Sequence, residues 1–214
     1  VKTLSCSADL EKNTDAVPAG PYDVIVMSHS LNELWRTDKD CIGKRASFLG
    51  KLGGMLSPDG IIFIVEPALL ETSRALLEVR DVLAGRGFTV CAPCMSDSAC
   101  PALAAGPNHT CHAEIPWSPV EPVSSLAAAA GLDRESVKMS FMILKRASTV
   151  SADAETGRPL LARVVSDGMM NKAGRIRFLL CDGKSRFAFS AKKDDAGASA
   201  AGFFALRRYD LIEI

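Results

Sequence analysis

The chain has 214 residues, of which 48% are hydrophobic, and its 25 basic and 25 acidic side chains balance to no net charge. This composition is sufficient to bury a hydrophobic core, and it excludes a globally disordered chain. The balanced charge argues against a protein that coats nucleic acid by bulk electrostatics, although it leaves room for a local basic patch.

The lack of a recognisable targeting signal and the cysteine content predict a cytoplasmic protein. No apolar run approaches the roughly 20 residues that a membrane-spanning helix requires, so no membrane contact is expected. The apolar stretch near the N-terminus is too short for a signal peptide. Disulfides are rare in the cytosol, and an odd count of seven cysteines cannot pair completely. A disulfide framework is therefore the least favoured explanation for the cysteines.

The first part of the chain is predicted to alternate strands and helices. The β-branched run at 22–27 predicts a buried strand, and the spacing of the apolar residues after it predicts two helical pieces. The sequence Ser-Pro-Asp-Gly at 57–60 predicts a turn, and the apolar run at 61–67 predicts a second strand.

The same alternation continues beyond the second strand. A helix is predicted over 69–87, ended by glycine, with a third strand at 88–93. A cysteine-rich insertion at 91–117 and an alanine-rich segment at 126–130 separate this strand from a fourth at 137–146. The alternation predicts an α/β fold, with an open sheet, right-handed crossovers and helices on both faces.

The composition changes after residue 146. The polar stretch at 147–154 predicts a linker, and the short strands beyond it predict a small antiparallel, barrel-like β-unit. Residues 147–214 carry 11 basic and 8 acidic side chains, so this part is mildly basic. We therefore predict an α/β domain at 1–146 and a small β-rich domain at 147–214.

Four of the seven cysteines lie within residues 91–111, in the sequence CAPCMSDSACPALAAGPNHTC. Cys94, Cys100 and Cys111 are spaced as C-x5-C-x10-C, and prolines flank the first two of them. Clustered soft thiolates suit an iron–sulfur cluster, which normally takes four such ligands.

A zinc site is the alternative, because Cys91 and Cys94 have the C-x2-C spacing of zinc sites. The remaining zinc ligands would come from the following loop: His109, Cys111 and His112. A third interpretation is that the thiols are unligated, with Cys91 in the core of its strand and Cys6 and Cys41 structural as well. Spacing alone leaves these alternatives open.

The sequence SHSLNEL, which follows the first strand, contains candidate catalytic residues. His29 and Asn32 lie after the carboxyl end of that strand, where open α/β sheets bind their ligands. The structural alternative is that Ser28, Ser30 and Asn32 cap the next helix, with Ser30 in a capping box. Glu66 ends the second strand at the same sheet edge, either as a site residue or as a loop acid bonded to backbone amides.

Basic side chains of the C-terminal unit are candidates for contacts with RNA phosphates, which supply affinity rather than sequence choice. A solvated strand face is the alternative explanation. These residues are Lys172, Arg175, Arg177, Lys184, Arg186, Lys192 and Lys193.

Three segments resemble parts of class I methyltransferases. PYDVIVMSHSLNEL resembles their fourth strand with its active-site loop, and LSPDGIIFIVEP resembles their fifth strand. SADL at 7–10 resembles the loop after their third strand, where an acid approaches the adenine of S-adenosylmethionine. The resemblance implies a methyltransferase-like, Rossmann-like sheet with Asp9, Ser28 and His29 at the cofactor site.

Taken together, the segments resemble one family more closely, the methyltransferase-like proteins of the small ribosomal subunit of bacteria and mitochondria (the Rsm22 family). The shared segments are YDVIVMSHSLNEL, IIFIVEP, FTVCAPC with CP at 100–101, MSFMILKR, and the tail from ARVVSD through GRIRFLLCD to SAKKD. In that family, three cysteines between the sixth and seventh strands and one from the C-terminal β-unit hold a 4Fe-4S cluster. The resemblance implies Cys94, Cys100, Cys111 and Cys181 as the ligands.

The chain departs from the family pattern in two places. It begins at Val1 without the glycine-rich loop that cradles the methionine end of the cofactor. We therefore expect S-adenosylmethionine to bind only with an additional N-terminal part. The gap between Cys100 and Cys111 is also longer than the family pattern.

The resemblance implies that the protein acts in assembly of the small ribosomal subunit, with ribosomal RNA or ribosomal proteins as partners. Two alternatives stay open: an active S-adenosylmethionine-dependent rRNA methyltransferase, and a zinc-stabilised interaction module without catalysis. A fold does not establish an activity. The Asn-Pro-Pro-Tyr signature of base-amino methyltransferases does not occur in the sequence, so no methyl acceptor is indicated.

Overall fold

Two β-sheets organise the chain. The structure is a computed structural model that describes residues 2–12, 17–132, 135–147 and 160–214. The first sheet is built from residues 22–146 and the second from residues 161–213. The predicted linker at 147–154 lies, except for Ala147, outside the described residues, and the division into two domains stays a prediction.

The strands and the long helix predicted for the first part are confirmed. Its elements are β1 (Tyr22–Ser28), α1 (Cys41–Gly53), β2 (Leu56–Pro67), α2 (Leu70–Ala84), β3 (Phe88–Ala92), α3 (Pro101–Ala104), β4 (Ala113–Pro116), α4 (Val123–Ala129) and β5 (Ser136–Arg146). The short elements α3, β4 and α4 were not predicted, because four to seven residues are too few to show a clear hydrophobic period.

The first sheet is mixed. Its strand order is β1-β2-β5-β3, with β4 also paired to β5. β1 and β2 are parallel, whereas β5 is antiparallel to β2, β3 and β4. The α/β class is confirmed. β5 is the strand that runs against its neighbours, and an antiparallel neighbour needs no crossover connection.

One face of the first sheet is covered by α1 and α2. Ile62, Ile64 and Leu144 of this face are fully buried. They pack against apolar residues of the two helices: Ala46, Leu49, Leu52, Leu76, Val79 and Leu83. On the opposite face Val24 and Val26 are 54% and 59% exposed. In the described part of the chain the helices thus cover one face rather than the predicted two.

The first of the two predicted helical pieces is instead a series of turns, and α1 begins only at Cys41. The capping box at Ser30 is therefore wrong: the Glu33 N–H donates to the main-chain carbonyl of Ser30 (3.3 Å). His29 has a φ of 52°, which lies outside the right-handed helical region.

The predicted Ser-Pro-Asp-Gly turn is a bulge inside β2. Between the pairs Tyr22–Leu56 and Val24–Ile61, β2 advances five positions while β1 advances two. Gly60 lies so close to β1 that a Cβ there would sit 2.6 Å from the carbonyl oxygen of Tyr22. A side chain at this position would therefore push the two strands apart.

The predicted antiparallel β-unit is confirmed. Its elements are β6 (Leu161–Val164), β7 (Met169–Met170), β8 (Arg175–Cys181), β9 (Arg186–Lys192), α5 (Ala196–Ala200), a 3-10 helix (Phe203–Ala205) and β10 (Leu211–Glu213). β8 is central and pairs with β6, β7 and β9, while β10 pairs with β6. Phe178, Leu180 and Phe203 are buried in its core. No helix within the described ranges has the length and apolar character needed to cross a bilayer.

Candidate functional site

The cysteine-rich loop leaves the first sheet at a gap along β5. β3 pairs with β5 as far as Ile143, and β4 pairs with it from Met139. The loop of residues 93–112 joins these two strands and lies over the gap, where the Ser140 hydroxyl donates to the Cys111 carbonyl oxygen (3.1 Å). Ser140 also pairs across strands with Glu66. The loop therefore lies at the sheet edge where β1 and β2 end.

All four cysteines implied as ligands line one cavity of about 40 Å³. Cys94, Cys100 and Cys111 belong to the loop, whereas Cys181 ends β8 in the second sheet. Cys100 is buried and the other three are half-buried. Apolar side chains form much of the remaining wall: Leu76, Leu77, Pro93, Met95, Phe141 and Val165. The cavity thus lies between the two sheets, with thiols contributed from both sides.

A buried arginine holds the loop against α2. Arg80 is 2% exposed. Its guanidinium donates to the carbonyl oxygens of Ser96 and Ser98 and to the carboxylate of Asp81 (2.6 Å). The same carboxylate accepts from the Cys100 N–H (3.0 Å). Helix α2 therefore positions the loop on both sides of residue 97.

The charge of Arg80 lies beside the thiol of Cys94. Burial raises the pKa of Cys94 to about 11, while the Arg80 guanidinium opposes this shift and the nearby Cys111 and Cys100 add to it. Metal binding requires the thiolate form, so a bound metal would displace these protons. Arg80 would then neutralise part of the negative charge that the thiolates create.

Tyr209 connects Cys111 to the second sheet. Its hydroxyl lies 3.3 Å from the Cys111 sulfur, and its ring packs on Phe141 with ring centroids 5.8 Å apart. The Arg163 guanidinium lies 5.6 Å from the centre of the Tyr209 ring and donates to the carbonyl oxygen of Pro93 (2.7 Å). These two side chains therefore cross-link the loop and the second sheet beside the thiols.

The β8–β9 hairpin brings Cys181 to the cavity. Gly183 in its turn has a φ of 90°, and a Cβ there would lie 2.9 Å from the Ser96 nitrogen. The Ser96 hydroxyl donates to the Gly183 carbonyl oxygen (2.9 Å), and Arg186 donates to the Thr110 carbonyl oxygen (3.1 Å). The hairpin and the loop approach so closely that this position favours glycine.

The four thiols surround the cavity without forming a site for a single ion. Within the described ranges, no three or more His, Cys, Asp or Glu side chains are grouped closely enough to hold one metal ion. The predicted zinc set is only partly brought together, because Cys94 and Cys111 line the cavity and the other three members do not. In the part of the chain that the structure describes, neither Cys91, His109 nor His112 belongs to the cavity wall.

The other cysteines lie away from the cavity. Cys91 is exposed, so the expectation that it is buried in its strand is wrong. It alternates along β3 with the buried Val90 and therefore lies on the opposite face. Cys6 is exposed and Cys41 is half-buried, and neither lines the cavity.

Two buried charged side chains hold the loop that follows β1. Glu66 is 1% exposed, and its Oε1 accepts from the N–H groups of Leu31 (2.9 Å) and Asn32 (3.2 Å). Arg45 donates to the carbonyl oxygens of Asn32 (2.7 Å) and Leu34 (2.9 Å). Glu66 is thus bonded to backbone amides, as in the structural alternative. The catalytic roles of Glu66, Asn32 and His29 stay predictions.

The predicted cofactor-binding residues lie near the same sheet edge. Ser28 and His29 are exposed at the carboxyl end of β1, and the left-handed backbone of His29 is unusual for a residue other than glycine. Asp9 is also exposed. Its turn reaches the loop through the Glu11 carboxylate, which accepts from the Trp35 N–H (2.6 Å). The binding roles of these residues stay predictions.

The burial of Glu66 predicts a pH dependence of stability. Burial raises the pKa of Glu66, and the N–H donors of Asn32 and Leu31 oppose the shift. A carboxyl whose pKa is raised by folding contributes most stability below its unfolded pKa, and this contribution is lost as pH rises through the folded pKa. As pH rises from 5 to 8, the wild type should therefore lose stability that Glu66→Gln keeps. The free energy of unfolding of the variant minus that of the wild type should increase over this range.

Urea unfolding at several pH values measures this difference. The matched control is Glu213→Gln, which removes an exposed carboxylate and should show no comparable trend. A difference for Glu66→Gln that is constant across the pH range would contradict the expectation. The glutamine oxygen can still accept from the two N–H groups, so the loop should stay in place.

Sequence reasoning missed the residues that surround the thiols. Arg80 follows Leu76 by four positions and precedes Leu83 by three, so helical spacing assigns it to the buried face of α2. An arginine on an apolar helix face is a signal that the sequence contains. No comparable local signal marks Arg163 or Tyr209, because both reach the cavity through tertiary packing.

Comparison with known proteins complements this geometry. The chain matches the family model described as mitochondrial small ribosomal subunit Rsm22 over residues 5–200. Comparison with curated proteins gives no match. The family match covers most of the chain, including three of the cavity's elements: α2, the cysteine-rich loop and β8. The chain therefore belongs to the Rsm22 family.

Proposed function

We propose that this protein works with the small ribosomal subunit, in its assembly or on its RNA, and holds a 4Fe-4S cluster through Cys94, Cys100, Cys111 and Cys181. The observation that carries the cluster is the single cavity lined by these four thiols. Membership of the Rsm22 family supports the ribosomal association. The cytoplasmic location expected from the sequence remains part of the proposal.

The ligand types at the cavity favour a cluster over the alternative of a zinc-stabilised module. The four cysteines of the cavity wall are all soft thiol ligands, which suit an iron–sulfur cluster. Three members of the predicted zinc set, Cys91, His109 and His112, do not belong to the described cavity wall.

The ligands would come from both sheets, which gives the site a structural role. Three cysteines lie in the loop held by Arg80, and Cys181 ends β8, whose hairpin turn contacts the loop through Gly183. When bound, an iron–sulfur cluster supplies electron transfer or a cross-link between its ligands. Tyr209 and Arg163 line the cavity on the side of the second sheet, where the Tyr209 hydroxyl contacts the Cys111 sulfur.

We also infer that the first sheet is the carboxyl-terminal part of a methyltransferase-like, Rossmann-like sheet. β1, β2, β3 and β5 would correspond to its fourth to seventh strands. Support comes from the direction of β1, β2 and β3, which end at one edge with Ser28, His29 and Glu66. Open α/β sheets bind their ligands at that edge.

Active methyl transfer to ribosomal RNA is the second candidate function. It is favoured by the left-handed backbone of the exposed His29 at this edge. Calorimetric titration with S-adenosylhomocysteine, on protein that includes the glycine-rich loop, tests it. Heat of binding that is lost in His29→Ala would support the candidate, and absence of heat would contradict it.

Co-sedimentation tests the ribosomal association. Protein purified without oxygen is mixed with isolated small or large ribosomal subunits and centrifuged through sucrose. We expect it to migrate with the small subunit and not with the large one. Equal migration with both subunits, or with neither, would contradict the proposal.

A further inference from the structure

One face of the second sheet carries a row of basic side chains without acidic partners. Across β8 and β9, Arg175 pairs with Lys192 and Arg177 pairs with Ser190. The two arginines and the lysine are exposed. Within the described ranges none of the three forms an ion pair. We call Arg175, Arg177 and Lys192 the basic face.

The basic face continues the side of the sheet that reaches the cysteine cavity. Residues two apart along a strand lie on the same face, so Arg175 and Arg177 share their side of β8 with Cys181. The buried Phe178 and Leu180 lie on the other side of β8 and pack into the core. The basic face therefore begins beyond the cavity and runs away from it along the sheet, towards solvent.

The arrangement costs stability in the isolated protein. Arg175 and Lys192 stand directly opposite each other, and like charges in that position destabilise a sheet. Among the described residues, the acids that follow β9 form no ion pair with them. Asp194 and Asp195 follow β9, where Asp195 accepts from the Ala198 N–H (2.9 Å) as the cap of α5.

We infer that the basic face binds the sugar–phosphate backbone of RNA. Arg175 and Arg177 lie about 6.7 Å apart along β8, and Lys192 lies beside Arg175 on β9, so the three charges suit a ligand with closely spaced negative charges. The inference rests on the proposed association with the small ribosomal subunit, where ribosomal RNA is the abundant polyanion. Phosphate contacts of this kind supply affinity without sequence choice.

The test is RNA binding by the full chain carrying Arg175→Gln, Arg177→Gln and Lys192→Gln together. The probe is a labelled oligouridylate of about 20 nucleotides, followed by fluorescence anisotropy between about 50 and 200 mM salt. We expect affinity at the lowest salt to fall at least about tenfold. The slope of log affinity against log salt should decrease by about 2, because each lost contact to a single strand removes about 0.7.

A matched control removes three charges elsewhere: Lys2→Gln, Arg36→Gln and Lys39→Gln. Its affinity and salt slope should stay close to those of the wild type. If the control loses as much affinity as the basic-face variant, bulk charge explains the binding and the inference is overturned. Competition by polyglutamate as effective as that of RNA would also overturn it, because the face would then fit acidic proteins.

Two further outcomes distinguish RNA binding by the basic face from protection of the edge strand and from failure of the proposed cluster. An unchanged salt slope, with aggregation of the basic-face variant, would mean that the charges only protect the edge strand β9, and would overturn the inference. Iron content is measured on every variant. If the basic-face variant loses RNA binding but retains iron, the result supports RNA binding by the basic face. If the proposed cluster is wrong, iron will be absent from the wild type as well.

Discussion

Replacing Cys94, Cys100, Cys111 or Cys181 by serine is expected to remove iron from the protein and to lower its stability. Each thiol lines the same cavity, and serine oxygen is a poor ligand for a soft iron–sulfur site. A ligand present at 1,000 times its dissociation constant stabilises the folded state by about 4 kcal/mol. Loss of a bound cluster should therefore lower Tm by roughly 8–16 °C. Iron analysis and thermal unfolding under nitrogen measure both effects.

The matched control is Cys91→Ser, three residues from Cys94 in the same segment but exposed and outside the cavity wall. Cys6→Ser and Cys41→Ser extend the control to cysteines elsewhere in the chain. All three variants should retain iron and a wild-type Tm. Equal iron content in all seven variants would contradict the assignment of the four ligands.

The second large effect is expected for Arg80→Met. This change removes a buried charge that holds the carbonyl oxygens of Ser96 and Ser98 and pairs with Asp81. Breaking a buried pair of this kind typically costs about 3–5 kcal/mol, because the remaining polar groups lose their partner. The change should lower Tm by roughly 6–20 °C in a chain of this size. Urea unfolding of the metal-free protein measures the effect apart from any metal.

The control for this change is Arg86→Met, an exposed arginine just beyond the same helix. Exposed substitutions usually change stability by less than about 0.5 kcal/mol. Arg80→Lys keeps the charge but not the fork of donors, so an intermediate loss is expected. If Arg80→Met unfolds at the same urea concentration as Arg86→Met, α2 does not anchor the cysteine-rich loop in the way described.

The regular elements with strong patterns could be predicted from the sequence, and the exceptions have physical causes. The apolar runs of β1, β2, β3 and β5 and the helical period of α2 were sufficient to locate them. The turns after Ser30 carry leucines at helical spacing, but tertiary bonds to Glu66 and Arg45 hold them in another conformation. The antiparallel direction of β5 was not predicted, because a fully buried strand shows a continuous apolar run whichever way it points.

The cysteine ligands were implied by family resemblance and not by spacing. The sequence interval between Cys111 and Cys181 carries no information about distance, and only the pairing of β8 with β6 and β9 brings Cys181 to the loop. The same packing delivers Tyr209, which lies 3.3 Å from the Cys111 sulfur although 98 residues separate them. Arg80 could have been found from its place on the apolar face of α2.

Whether the cavity holds a cluster is decided by the iron, sulfide and zinc content of the full chain purified without oxygen, together with its absorbance spectrum. We expect about four irons and four sulfides per chain and a broad absorbance near 400 nm, as for one 4Fe-4S cluster. One zinc and no iron would contradict the proposed cluster. That result would favour the zinc ligand set of Cys91, Cys94 and the nearby histidines.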